Sequence, residues 1–293
     1  MTTASRRVGA IFTPDRPPED FRQAVHLAES AGMDELWVWE DCFRESAFAA
    51  ATAALAWSER IQVGIGIAPM PLRNVALTAM EIATIERMFP GRLLPGLGHG
   101  VLSWMGQVGA RVASPLTLMR EYIPALRALL AGEEVSTSGR YVNLDRVKLD
   151  WPPSVAPLVY AAGEGPKTLT LTGEVADGTV LTGGTTPEGV AAASTRIASG
   201  RASAGRTGPH ANVVFVPIAV GADASARAER HLERWKRPGE YDRIAAGSLT
   251  EVVARLEEFY DAGAAAVLLQ PLEDDLSQDE FFAVAAEVAA RLR

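Results

Sequence analysis

"RIQVGIGIAPMPLRNVALTAMEIATIERMFPGRLLPGLGHG", residues Arg60 to Gly100, sets a helix-like segment between two short apolar runs. Arg60–Ala68 and Gly91–Gly98 read as strands, because they are almost wholly apolar and bounded by glycine and proline. Asn74–Met88 between them carries apolar residues at helical spacing. Strands this apolar belong to a parallel sheet covered on both faces, and one strand, one helix and the next strand is the unit that builds such sheets.

The same unit recurs in both directions. Upstream, Val8–Phe12 and Glu35–Glu40 read as strands, followed by helices in Pro17–Gly32 and Arg44–Arg60. Downstream of Gly100, Ser114–Glu133 reads as the fourth helix, with Ser114 as cap, Pro115 in the first turn and Gly132 past the end. The strands Pro157–Gly163, Gly178–Gly184 and Ala211–Gly221 are paired with the helices Pro166–Ala176, Thr186–Gly205 and Ala224–Lys236. A further helix over Thr250–Gly263 precedes the eighth pair, Ala264–Pro271 and Ser277–Arg293. Glu133–Pro157 breaks the rhythm with a turn at Ser138-Gly139, and is read as a short excursion carrying a hairpin between units 4 and 5. Eight units in 293 residues predict an α/β fold, a (β/α)8 TIM barrel occupying residues 1–293 as a single domain. An open doubly wound sheet has fewer units and a glycine fingerprint at its first turn. Here that turn is "FTPDRPPED", without glycine.

Composition narrows the partners. Twenty-eight basic against 36 acidic side chains give a net charge of −8, which argues against nucleic acid. The apolar runs are shorter than the ~20 residues that span a bilayer. "MTTASRR" leads into a short strand, so no signal peptide is expected. A single cysteine, Cys42, permits no internal disulfide and fits a cytoplasmic location. No Cys/His spacing points to a metal. A small-molecule substrate is expected.

Barrel chemistry sits where the strands end. After strand 2 come Trp39, Glu40 and Asp41. Paired carboxylates can divide into acid and base when burial raises one of them; alternatively one of them caps the next helix or pairs with Arg44. Strand 3 contains Gly64 and Gly66, either a kink in the strand or a bare surface for a flat ligand. After strand 4 come Gly98-His99-Gly100, either a tight turn or exposed amides for a ligand; His99 is a second candidate acid/base. After strand 5, Ala162-Gly163-Glu164-Gly165-Pro166 runs into a helix start, where free N–H groups attract anions and Lys167 could assist. Trp39, Met70 and Trp104 are candidates for an apolar substrate wall. The polar run Thr182–Thr186 follows strand 6. Cys42 has no paired base. His26, His210 and His231 are read as surface or loop residues.

Together these stretches, with "AESAGMDELWVWED", "MREYIPALRALLAGEEVSTSGRYVNLD" and "GPKTLTLTGEVADG", resemble the bacterial luciferase-like monooxygenase superfamily, in particular its branch that uses the deazaflavin coenzyme F420. The resemblance covers nearly the whole chain. It implies a barrel with the cofactor in its mouth, the ring on a strand 3 bulge (Gly64, Gly66, Ile67, Ala68) with a non-proline cis peptide placed at Gly66–Ile67. It implies that the cofactor tail lies on Gly98-His99-Gly100 and on Ala162-Gly163-Glu164-Gly165-Pro166. Dimers are common in the family, and the helices after strands 2 and 3 would suit a homodimer contact. Three departures stand out. Glu40-Asp41 replaces an Asp-His pair, so Asp41 would take the acid/base role. Val101 stands where sugar-phosphate-oxidising relatives carry glutamate, so that chemistry is not expected. Ala68-Pro69-Met70 replaces Thr-Asn-Pro. The expected activity is hydride transfer between F420 and a small or medium organic substrate. The alternatives are an FMN-dependent monooxygenase using oxygen and a non-catalytic flavin-binding protein.

Overall fold

The computed structural model describes residues 6–273 and 275–293. In chain order it runs β1 (Arg7–Phe12), α1 (Phe21–Ser30), β2 (Glu35–Val38), α2 (Ala47–Trp57), β3 (Gln62–Pro69), α3 (Val75–Met88), β4 (Leu93–Gly98), α4 (Leu102–Gln107) and α5 (Pro115–Leu130). It continues with β5 (Val135–Ser138), β6 (Asn143–Val147), β7 (Tyr160–Ala162), α6 (Pro166–Val175), β8 (Gly178–Leu181), α7 (Pro187–Ser203) and β9 (Ala211–Val220). The last elements are α8 (Ala224–Arg234), β10 (Ala245–Gly247), α9 (Leu249–Asp261), β11 (Ala266–Gln270) and α10 (Gln278–Leu292).

Strands β1, β2, β3, β4, β7, β8, β9 and β11 pair in parallel in that order, and β11 returns to β1, so the ring closes. The expected barrel is present, with β5 and β6 as the antiparallel hairpin of the excursion. Local chemistry sets the helix starts. Asn74 accepts from Ala76 N–H, Ser114 from Thr117 N–H and Thr186 from Gly189 N–H, while Ser248 and Ser277 form capping boxes with Glu251 and Glu280.

The period of two along each strand separates two cores. Outward residues such as Val8, Leu36, Val63 and Leu93 pack under the helices. Inward residues Ile11, Trp37, Leu94, Tyr160, Val180, Val213, Phe215 and Leu268 fill the barrel. Trp37 meets Tyr160 edge-on at 5.8 Å and Phe215 at 6.0 Å. Below it, Glu35 lies fully buried, paired with Arg7 Nε at 2.6 Å and accepting from Trp37 Nε1 at 2.7 Å. Burial pushes the Glu35 carboxyl up in spite of those two partners.

One assignment changes. The rhythm makes Ala224–Lys236 the seventh barrel helix, but the structure gives that place to α9. The apolar face of α9, with Val252, Leu256, Phe259 and Tyr260, joins the core beneath the barrel helices, and Tyr260 Oη donates to Arg7 O at 2.6 Å. Helix α8 instead lies over the carboxyl ends of the strands: Arg227 pairs with Asp275 and Arg234 with Glu273, both beyond β11. Strand β10 adds to the last residues of β9, Ile218–Val220. The reason is the width of the apolar face. On α8 it is a stripe of Ala224, Ala228 and Leu232 on an otherwise charged helix, sufficient to cover Ala219, Ile244 and Leu272 but too narrow to span a barrel wall.

Candidate active site

The mouth begins where the inward side chains cease to be fully buried. Trp37 and Tyr160 are at 0% exposure and Phe215 at 3%; one layer higher, Trp39, Gly66, Ile67, Ala162 and Gln270 are partly exposed. Trp39 stacks on Phe215 with centroids 5.9 Å apart and planes 19° apart, which makes a flat floor. In β3 the register slips between Ile65 and Ala68, and the Gly66–Ile67 peptide is cis, at the expected bond; Cys42–Phe43 is also cis. The slip turns Ile67 toward the mouth, where its side chain lies against Gly98 and Ala162. A Cβ on Gly98 would sit 3.0 Å from Ile67 Cδ1. Two small recesses beside the strand ends, one at Arg227 and Asp275 and one at Phe12 and Arg16, contain neither Trp39 nor Asp41.

Two polar atoms at this level are buried without a partner among the described residues: Trp39 Nε1, a donor, and Gln270 Oε1, an acceptor. Buried polar groups rarely remain unpaired. A planar heterocycle carrying both ring N–H and carbonyl groups would satisfy this pair, so the site fits the ring of a deazaflavin or a flavin. Around the floor, His99 Nδ1 lies 2.6 Å from Gly100 O. A carbonyl only accepts, so Nδ1 carries the proton and Nε2 is left as an acceptor. Gly100 has φ +67°, with Pro69 and Met105 packed against it. Gly165 caps α6 without a side-chain acceptor, so among the described residues no side chain caps the first turn beside exposed Lys167. Glu164 accepts from Thr182 Oγ1 at 2.6 Å.

The two carboxylates after β2 have different fates. Glu40 is consumed structurally. Its Oε2 accepts from Arg73 Nη2 at 2.8 Å and from Ala47 N–H at 2.9 Å, capping α2, while Oε1 is bound by Arg73 Nη1. Asp41 is half-buried, and no hydrogen bond or ion pair engages its carboxylate among the described residues. Arg44 turns instead to the Pro14 carbonyl. Burial, reinforced by Glu273 and only partly countered by Arg44, pushes the Asp41 carboxyl up.

Several expected site residues lie elsewhere. Glu40, expected to be catalytic, has no free oxygen. Met70 is 1% exposed within the core under the helices, so it does not wall the mouth, and Ala68 points its methyl into the same core. Gly64 lies one layer too deep: a Cβ there would fall 2.1 Å from the Trp37 ring, so the glycine makes room for tryptophan. Trp104 is half-buried on α4, immediately beyond the β4 glycines. Cys42 is raised by burial first, then by Glu40 and Asp41, which keeps it a thiol. His210 is not a solvated loop residue. Its Nε2 bonds Thr179 Oγ1 at 2.9 Å, and burial, with Arg201 and Arg206 nearby, pushes it down to about 4. Phe215, Gln270 and Arg73 escaped the sequence reading. Gln270 carried a signal, as the polar residue closing the apolar run "AVLLQ".

A family model described as luciferase-like monooxygenase matches residues 2–279. The chain belongs to the luciferase-like monooxygenase family. Among relatives of this family, a 5,10-methylenetetrahydromethanopterin reductase of Methanolobus tindarius is 30% identical over 74% of this chain and 66% of its own length. An F420-dependent hydroxymycolic acid dehydrogenase of Mycobacterium tuberculosis is 27% identical over 95% of this chain and 87% of its own. The match thus spans just under two thirds of the first relative's length. The solved structure of a coenzyme F420-dependent tetrahydromethanopterin reductase from Methanopyrus kandleri superposes with a TM-score of 0.84 at 20% identity, covering 98% of this chain and 99% of that one. At that identity the likeness is one of fold.

Proposed function

We propose that this chain is an F420-dependent oxidoreductase that moves a hydride between the deazaflavin and a small or medium organic substrate. The observation that carries the reading is the division of labour at the mouth. Of the two adjacent carboxylates after β2, Glu40 is engaged by Arg73 and the Ala47 N–H, whereas Asp41 is half-buried with no bond to its carboxylate among the described residues; Glu45, further along the segment and beside α2, is likewise raised by burial. A carboxyl raised by burial takes up its proton more readily than an exposed aspartate, which suits it to exchange a proton as charge develops. Trp39 and Phe215 would support the ring, Trp39 Nε1 and Gln270 would bond its edge, and the Gly98–Gly100 and Gly163–Lys167 loops would hold the tail. Bound there, the deazaflavin supplies the carbon that carries the hydride. Asp41 manages the proton, and the aromatic floor keeps water away from one face. His99 Nε2 remains a second acceptor at the rim.

The relatives named for F420 favour this cofactor over FMN. Fluorescence titration of the purified protein should give tight F420 and weak FMN binding; the reverse would move the assignment to an FMN monooxygenase. Asp41→Asn should lower kcat by roughly 10²–10⁴-fold while F420 affinity stays within a few-fold. Turnover unaffected by that change would remove Asp41 from the reaction, and no turnover of any carbonyl or alcohol substrate would leave the flavin-binding reading. Residues 1–293 would act as one unit in the cytoplasm. The exposed Leu77, Met80 and Met88 on α3 beside alanine-rich α2 suit a homodimer contact. Among the described residues no helix is long and apolar enough to cross a membrane.

A further inference from the structure

Arg73 sits on the turn between β3 and α3, 33 residues from Glu40 in sequence. Its side chain is 14% exposed and that of Glu40 is 8%. The guanidinium is held from several elements at once. It lies over the Phe48 ring of α2 at 4.9 Å, and its Nε lies 3.3 Å from Glu81 of α3. Its backbone carbonyl accepts from Tyr122 of α5 at 3.3 Å. The fork is therefore fixed before it meets Glu40, and it grips both carboxylate oxygens, a geometry that restricts direction as well as distance. Glu40 transmits that restriction. It is bonded on one side to Arg73 and on the other to the first turn of α2, and it directly precedes Asp41. The remaining attachment is Arg44, whose side chain reaches the Pro14 carbonyl while its N–H closes a turn onto Asp41 O at 2.8 Å. Nothing among the described residues holds the Asp41 carboxylate itself.

We infer that Arg73 is a positioning residue: through its two-pronged grip on Glu40 it fixes the segment after β2 and so aims the Asp41 carboxylate into the barrel mouth. The inference rests on Asp41 being the proton-transfer group. Arg73 itself packs among α2, α3 and α5, and acts through Glu40 rather than on substrate or cofactor.

The chain's single cysteine, Cys42, adjoins Asp41 and reports on the same segment without turnover. In Arg73→Met, labelling of Cys42 by an aromatic disulfide reagent should speed up at least ten-fold. In the same variant kcat should fall at least ten-fold, with KM and the F420 dissociation constant within three-fold of wild type. Glu40→Gln keeps the side-chain length and should reproduce both effects should Arg73→Met fail to fold, as judged by circular dichroism. Unchanged labelling in a folded variant overturns the clamp. Faster labelling with unchanged kcat overturns the positioning role. The Asp41→Asn test of the proposed function is separate: should that variant turn over normally, the labelling assay still decides whether Arg73 holds the segment.

Discussion

At the scale of single residues, the mouth shows how two adjacent carboxylates acquire opposite duties. Glu40 has three donors and is structural; Asp41 has none among the described residues and is half-buried. A carboxyl whose folded pKa is raised stabilises the fold only while protonated, and that stability is lost as pH rises through the folded pKa. Asp41→Asn should therefore melt above wild type at neutral pH, with the difference vanishing below the ordinary aspartate range. A melting temperature below wild type at pH 7 would show that the carboxylate is compensated. Gly64 makes the opposite point. Gly64→Ala would press a methyl group into the Trp37 ring, and overpacking of this kind costs roughly 1–3 kcal/mol or more. Urea unfolding should show a lowered midpoint.

At the scale of elements, the packing surface of a helix decides its place. Helices α8 and α9 follow β9 in turn, separated by β10, yet only the broad apolar face of α9 can close a barrel wall. Helix α3 carries a second apolar surface facing outward, where Leu77 is 46%, Met80 57% and Met88 52% exposed. Three large apolar side chains on one exposed helix face mark a contact surface. Met80→Glu should convert a dimer into a monomer in light scattering; a wild-type monomer would dispose of that assignment. These outward residues were visible as part of the helix pattern, but which of them the barrel would cover was not.

For the whole molecule, acid sensitivity should come from the base of the barrel as well as from the mouth. His210 lies half-buried beside Thr179 at the amino end of the strands. Its folded pKa is about 4 against an ordinary 6.5. The unfolded chain therefore takes up this proton first, and stability should fall as pH drops from the ordinary value toward the folded one. His210→Gln should flatten that part of the stability-against-pH curve. An identical slope in the variant would assign the loss to other groups.

The sequence by itself determined the barrel. Eight apolar strands with capped helices leave few other ways to cover both faces of a parallel sheet, and the caps Ser114 and Thr186 are local chemistry readable in the chain. It also located the rim loops, because they begin where each apolar run stops, and it marked Gly66–Ile67 through the resemblance. Tertiary structure decided the rest. Only the closed ring brings Arg73 against Glu40, Trp37 over Gly64 and Phe215 against Trp39. Propensity and periodicity act over a few residues, whereas the pairing of a carboxylate or the room beside a glycine depends on side chains that folding delivers from far along the chain.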